Sequence, residues 1–276
     1  MPSNKIRPAM VAGMFYPQKK ITLEREVALV LENAPDDEID ARIVAIISPH
    51  AGYMYSGGVA ARAYRQIIDK EYNVVIVISP SHREYFKEIS IYDGYGYSTP
   101  LGVIPIDQAM ANKFAEFHPK IILSEKGHRF DEHSLEVQLP FLQKVLDNFK
   151  LIPIVMGEQD MENIDILSQA LSTILKEQKA LIIASTDLSH FYNYDKATLL
   201  DKVVIENVKN FDPDKLFHDV QAGRCEMCGA GPVVTAMKAS KMLGANKSKI
   251  LLYRNSGDIT GDRNEVVGYM SAILFH

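Results

Sequence analysis

Three short segments of the chain share one plan: an apolar run, a Ser, and a His within a few residues. They are 43–47 followed by Ser48-Pro49-His50, 74–78 followed by Ser79-Pro80-Ser81-His82, and 181–184 followed by Ser185-Thr186-Asp187-Leu188-Ser189-His190. An imidazole is both a metal ligand and an acid/base group near neutral pH, although a single loop histidine is more often bonded to a backbone carbonyl. Continuous Val/Ile runs suit strands buried on both faces, and chemistry in such sheets gathers beyond the carboxyl ends of the strands. Three such ends with imidazoles point to one crevice, which reads as a metal site.

Asp187 and His190 add a carboxylate and an imidazole three residues apart. If their loop starts a helical turn, the two share a face, as ligands, as a general acid/base pair, or as groups that orient others. The plainer alternative is a turn cap and a surface histidine. His133, in Asp131-Glu132-His133-Ser134-Leu135-Glu136, reaches the same crevice as an acid/base or substrate contact, or else Ser134 and its acids only start a helix. His118, His128, His218 and His276 lack a comparable setting.

The cysteines are Cys225 and Cys228, in Cys-Glu-Met-Cys. Such a pair is half a zinc site or a redox couple, but a second pair is absent and no thioredoxin-like context surrounds this one. Cys228 precedes Gly229 near an expected helix start, where the dipole favours a thiolate. A thiolate joined to two imidazoles suits iron, copper or zinc far better than magnesium or calcium.

The elements that must position these groups follow from periodicity. Helices are expected over 22–33, 57–69, from Asp107, over 134–147 with a kink or late start at Pro140, and over 161–176, 195–209, 212–221 and 230–243. Further strands are expected at 88–93, 120–123, 151–156, 249–254 and 266–275, the last two as an antiparallel hairpin. Strands and helices alternate without a linker or repeat, so one α/β domain over 1–276 is expected, with a mostly parallel or mixed sheet flanked by helices.

A net charge of −5 with interspersed signs argues against a nucleic-acid partner. No apolar run approaches the roughly 20 residues of a membrane span. The stretch Ala9 to Phe15 lacks a small-residue cleavage site, and two cysteines are too few for a disulfide framework. A cytoplasmic protein is expected.

At these residues the chain resembles the Memo proteins. Ile6-Arg7-Pro8-Ala9, Val11-Ala12-Gly13-Met14-Phe15-Tyr16-Pro17, Ser48-Pro49-His50-Ala51-Gly52-Tyr53, Ser79-Pro80-Ser81-His82, Glu132-His133-Ser134-Leu135-Glu136, Ser185 to His190 and Cys228-Gly229 fall in that family's order. The resemblance implies a fold similar to the class III extradiol dioxygenases, whose non-haem Fe(II) is held by two histidines and a glutamate. It implies metal ligands at His50, His82 and Cys228, with the thiol where the glutamate would be, and pocket roles for Asp187 and His190. A thiolate changes the metal's potential and is itself oxidisable, which sets ring cleavage apart from what this chain would do. The resemblance further implies copper- or iron-dependent redox activity, phosphotyrosine-peptide binding in animal members, and a functional link to radical-SAM and AMMECR1-type proteins in microbes.

Two functions follow as expectations. One is an oxidoreductase with Fe(II), copper or zinc on His50, His82 and Cys228, and with Asp187, His190 and His133 moving protons. The other is a silent pocket that binds an anionic or phosphorylated peptide or metabolite. A serine hydrolase built on Ser185 or Ser189 ranks third, because no G-x-S-x-G elbow is present.

Overall fold

The computed structural model describes residues 5–276. The four strands at its centre are those with unbroken aliphatic runs: β2 (Ile43–Ser48), β3 (Val74–Pro80), β8 (Lys150–Met156) and β9 (Ala180–Ser185). All four are mutually parallel, in the order β2-β9-β3-β8. Alternate side chains enter two separate cores: Ile76, Ile78, Ile152, Ile154 and Ile182 pack on one face, Val75, Val77, Leu151, Leu181 and Ile183 on the other. Burial on both faces is why these runs lack a polar alternation.

Helices cover both faces. Helices α1 (Lys20–Glu32), α2 (Tyr53–Arg65) and α4 (Leu139–Val145) pack on the side of Val75. Helices α3 (Gln108–Phe117), α5 (Met161–Ile174), α6 (Tyr194–Lys209), α7 (Pro213–Gln221) and α8 (Ala230–Met242) pack on the other. Antiparallel strands flank the centre and make the sheet mixed. On one side β12 (Val266–Phe275) pairs with β2, and β11 (Lys247–Asn255) pairs with β12 as the expected hairpin. On the other side β4 (Ile89–Ile91) runs antiparallel to β8, and β7 (Ile121–Leu123) runs beside β4.

Several expectations are corrected. Helix α2 starts at Tyr53 and not near residue 57, so the His50 loop is only a few residues long. Pro140 does delay its helix: a 3-10 turn, Glu136–Gln138, precedes α4, where the missing proline N–H falls in the first turn at no cost. Asp187 and His190 do not share a helical turn, because His190 opens a short strand, β10 (His190–Tyr192), against β12. The sequence reading also lacked α9 (Ser256–Thr260) and a small second sheet of β1 (Ile6–Arg7), β5 (Gly96–Thr99) and β6 (Gly102–Pro105). Among the described residues, no helix is long and apolar enough to cross a membrane.

Candidate metal centre

Strand order brings the three Ser-His segments together. Strand β9 lies between β2 and β3, so the loops carrying His50, His82 and the 186–190 stretch leave the same edge of the sheet side by side. One donor atom each from His50, His82 and Cys228 lies within 4.8 Å of the others. The His50 and His82 rings stand edge to face with centroids 5.1 Å apart, and His50 Nε2 is 3.1 Å from Cys228 Sγ.

Hydrogen bonds fix which nitrogen each of the two histidines presents to the pocket. Ser185 Oγ donates its one proton to the Ser134 carbonyl at 2.6 Å and accepts from Gln138 Nε2 at 2.8 Å. Its contact with His50 Nδ1, 2.9 Å, is therefore one in which the imidazole donates. That leaves the His50 Nε2 lone pair facing Cys228. His82 Nδ1 lies 3.1 Å from Glu132 Oε1 and donates to it, leaving its Nε2 available. Burial opposes the charge on Glu132, but the hydrogen bonds from His82 and Ser134 hold its carboxyl down to about 2, so it is an ionised acceptor.

The same Glu132 closes off a second grouping, His82, Glu132 and His133, whose donor atoms are equally close. Its carboxylate already accepts from the His82 and His133 backbone N–H groups at 2.5 and 3.0 Å and from the Ser134 N–H at 3.1 Å. Oε1, which accepts the Ser134 hydroxyl at 2.8 Å as well, is saturated, so through it the carboxylate orients the loop, while Oε2 takes the His82 N–H. The loop is anchored in turn by Arg7, buried under the pocket. Arg7 donates to the His128 and Glu132 carbonyls at 2.6 and 2.7 Å and pairs with Glu136, which also accepts from the Met10 and Val11 N–H groups and the Tyr16 hydroxyl.

Cys228 is the pocket sulfur, and Cys225 is buried in the core. The Asp187 N–H points at Cys228 Sγ from 3.2 Å, while the Cys228 N–H donates to the Asp187 carbonyl at 3.2 Å and the Gly229 N–H to Thr186 Oγ1 at 2.9 Å. The expected help from the α8 dipole does not prevail: burial pushes this thiol up, and nearby Asp187 adds to it. Without an ion the group is a thiol, and a bound cation would take the place of its proton.

The remaining expected residues lie around this core. His133 is stacked between Phe15, 4.3 Å away, and His82, 4.8 Å away. Asp187 is buried and accepts the His50 backbone N–H at 2.8 Å, so it holds the loop and not the ring. Burial raises its carboxyl to about 7, against the pull of the His50 and Ala51 N–H groups. His190 sits at the pocket edge, its ring nitrogen 3.9 Å from Glu226. Burial holds His50 well below its ordinary value and His133 at about 4, and lowers His190 more modestly. These three imidazoles are neutral at pH 7, the form that binds metals or takes up protons.

Glu132 and Gln138 escaped the sequence reading as functional groups, and Ser185 was considered only as a nucleophile. Glu132 stood beside His133 in a noted motif, and its proximity to a histidine was the only available signal. The hydrolase alternative finds no support here. The Ser185 hydroxyl gives its proton to a carbonyl and receives one from His50, the reverse of an activated nucleophile, and Ser189 is fully buried.

The Memo-like protein family matches residues 7–273. A "MEMO1 family protein" of Methanobrevibacter smithii is 38% identical over 284 residues, covering 98% of this chain and 99% of that one. One of Aquifex aeolicus is 37% identical over 271 residues, with the same coverage of 98% and 99%. Among solved structures, an uncharacterised protein, JW3007, of Escherichia coli K12 superposes with a TM-score of 0.59 at 14% identity, covering 84% of this chain and 100% of that one. That likeness is one of fold.

Proposed function

Because the chain belongs to the Memo-like family, we propose that it is a metal-dependent oxidoreductase whose His50, His82 and Cys228 hold non-haem Fe(II), with copper or zinc suited to the same donors. The observation that carries this reading is the hydrogen bonding of the two histidines: each Nδ1–H has its own acceptor, so both Nε2 atoms are left for one ion beside a sulfur. This is the arrangement by which a protein fixes the tautomer of a metal-ligating histidine. Two imidazoles and a soft sulfur match iron, copper or zinc in kind and number.

A redox-active ion held there would supply one-electron chemistry and polarise a substrate oxygen. The chain's own groups supply the proton handling. His133, held by its stack between Phe15 and His82, and His190 at the edge are neutral imidazoles able to accept a proton. The Asp187 carboxyl, raised to about 7, can hold a proton near neutral pH. A silent anion-binding pocket draws less support, since burial keeps His50, His133 and His190 neutral and without fixed positive charge. Elemental analysis of protein purified without chelator or affinity metal tests the proposal. About one equivalent of iron or copper per chain is expected, and protein that neither retains nor takes up metal would overturn it.

A further inference from the structure

Cys225 lies in the core and Cys228 in the pocket, which leaves Glu226 between the two cysteines to be explained. Its carboxylate reaches across to β10. Oε1 accepts the His190 backbone N–H at 3.3 Å and lies 3.9 Å from His190 Nδ1, while Oε2 accepts the Tyr192 hydroxyl at 3.0 Å. Between those two residues stands Phe191, with φ +63° and 71% exposed. A bulky aromatic in the left-handed region is strained. Pairing with β12 skips this residue: His190 lies opposite Val267 and Tyr192 opposite Val266, so Phe191 is the extra residue of a bulge. A glycine would adopt this conformation freely. One carboxylate thus holds both sides of a strained residue, and it does so from the segment that carries Cys228.

We propose that Glu226 is a positioning residue: it clamps the strained 190–192 bulge and so fixes His190 at the open side of the pocket. The role of His190 in proton handling rests on the function proposed above, whereas the clamp rests on these contacts alone. The neighbouring chain needs no such help. The Leu188 N–H is bonded to the Gly268 carbonyl at 2.8 Å and the Gly268 N–H to the Ser189 carbonyl at 3.0 Å, both backbone pairs with β12.

Amide hydrogen exchange and the His190 imidazole resonances, read on zinc-loaded protein, test the clamp in Glu226→Ala, Glu226→Gln, Phe191→Gly and the double variant Glu226→Ala/Phe191→Gly. In Glu226→Ala the His190 amide should exchange at least about tenfold faster while Leu188 and Gly268 stay protected, and the ring resonances should shift. Zinc affinity should stay within about threefold of wild type. Glu226→Gln, which keeps one acceptor oxygen, should fall between the two. The Phe191 ring stands 5.7 Å from that of His190, so the double variant is compared with Phe191→Gly alone: the further change in His190 resonances on adding Glu226→Ala should be smaller than in the wild-type background, because glycine removes the strain the clamp opposes. Unchanged exchange in Glu226→Ala, an equal resonance change in both backgrounds, or loss of zinc in Glu226→Ala would each overturn the proposal. If the wild type takes up no zinc, the metal reading fails, while the exchange pattern in metal-free protein still decides the clamp.

Discussion

Ser185 and Glu132 touch no reacting group in this reading, yet they determine which nitrogen His50 and His82 turn inward. The Ser185 hydroxyl is fully committed, so Ser185→Ala would leave His50 Nδ1–H without its acceptor and free the ring to change tautomer. Metal affinity should fall about 10–100-fold in an anaerobic titration, the usual consequence of losing a partner of this kind. The two cysteines should separate cleanly in the same titration. Cys228→Ala should weaken binding markedly, whereas Cys225→Ala, in the core, should cost about 1 kcal/mol of stability and leave affinity nearly intact. The reverse ranking would assign the wrong sulfur. The histidines were legible because residue type and strand-end position mark them, and Cys228 because it precedes Gly229 at an expected helix start and matches the family's order. Ser185 was visible as a residue but not as a partner, since Ser134 and Gln138 lie 51 and 47 positions away and only the fold brings them near.

The junction of β9 with α8 shows how closely the elements must meet for the sulfur to arrive. A Cβ on Gly229 would come within 2.3 Å of the Ser185 carbonyl oxygen and 2.7 Å of Thr186 Cβ. The first of these is backbone of a central strand and cannot swing aside. Gly229→Ala should therefore destabilise by about 3 kcal/mol, at the upper end for overpacking, and displace Cys228. Thermal unfolding together with metal uptake checks this, and a variant with wild-type values in both would show that the junction has slack. The central strands were legible for the same reason that they are buried: β-branched runs without polar alternation. Their order was not, because pairing β9 between β2 and β3 is a long-range choice. Strands β5 and β6 escaped because Gly96–Thr99 has no aliphatic residue and Gly102–Pro105 only the pair Val103-Ile104, and β10 because its three residues form a bulge.

Burying so many imidazoles makes the stability of the metal-free fold depend on pH. The folded chain holds His133 at about 4, His128 at about 3 and His50 well below its ordinary value, chiefly through burial. The unfolded chain protonates all three near 6.5. Stability is thus complete above about 6.5 and is lost as pH falls through the folded values. Asp187 acts oppositely: raised to about 7, its folded carboxyl binds a proton that the unfolded chain lacks until near 3.9. Three imidazoles against one carboxyl give a net uptake of protons on unfolding, so stability falls as pH drops from about 6 to about 4. Melting temperature in metal-free protein should fall steeply over that range, and a flat profile would mean that these rings are solvated. Bound metal should steepen the dependence, because the metal-bound folded chain keeps His50 unprotonated and Cys228 without its proton, while the unfolded chain takes up protons on both.

X-ray absorption on protein loaded with one equivalent of zinc reads the donor set of the pocket directly. One sulfur at about 2.3 Å and two imidazole nitrogens at about 2.0–2.1 Å are expected, with the sulfur lost in Cys228→Ala. A shell of nitrogen and oxygen alone in the wild type, or a sulfur that persists in Cys228→Ala, would contradict a centre built on His50, His82 and Cys228.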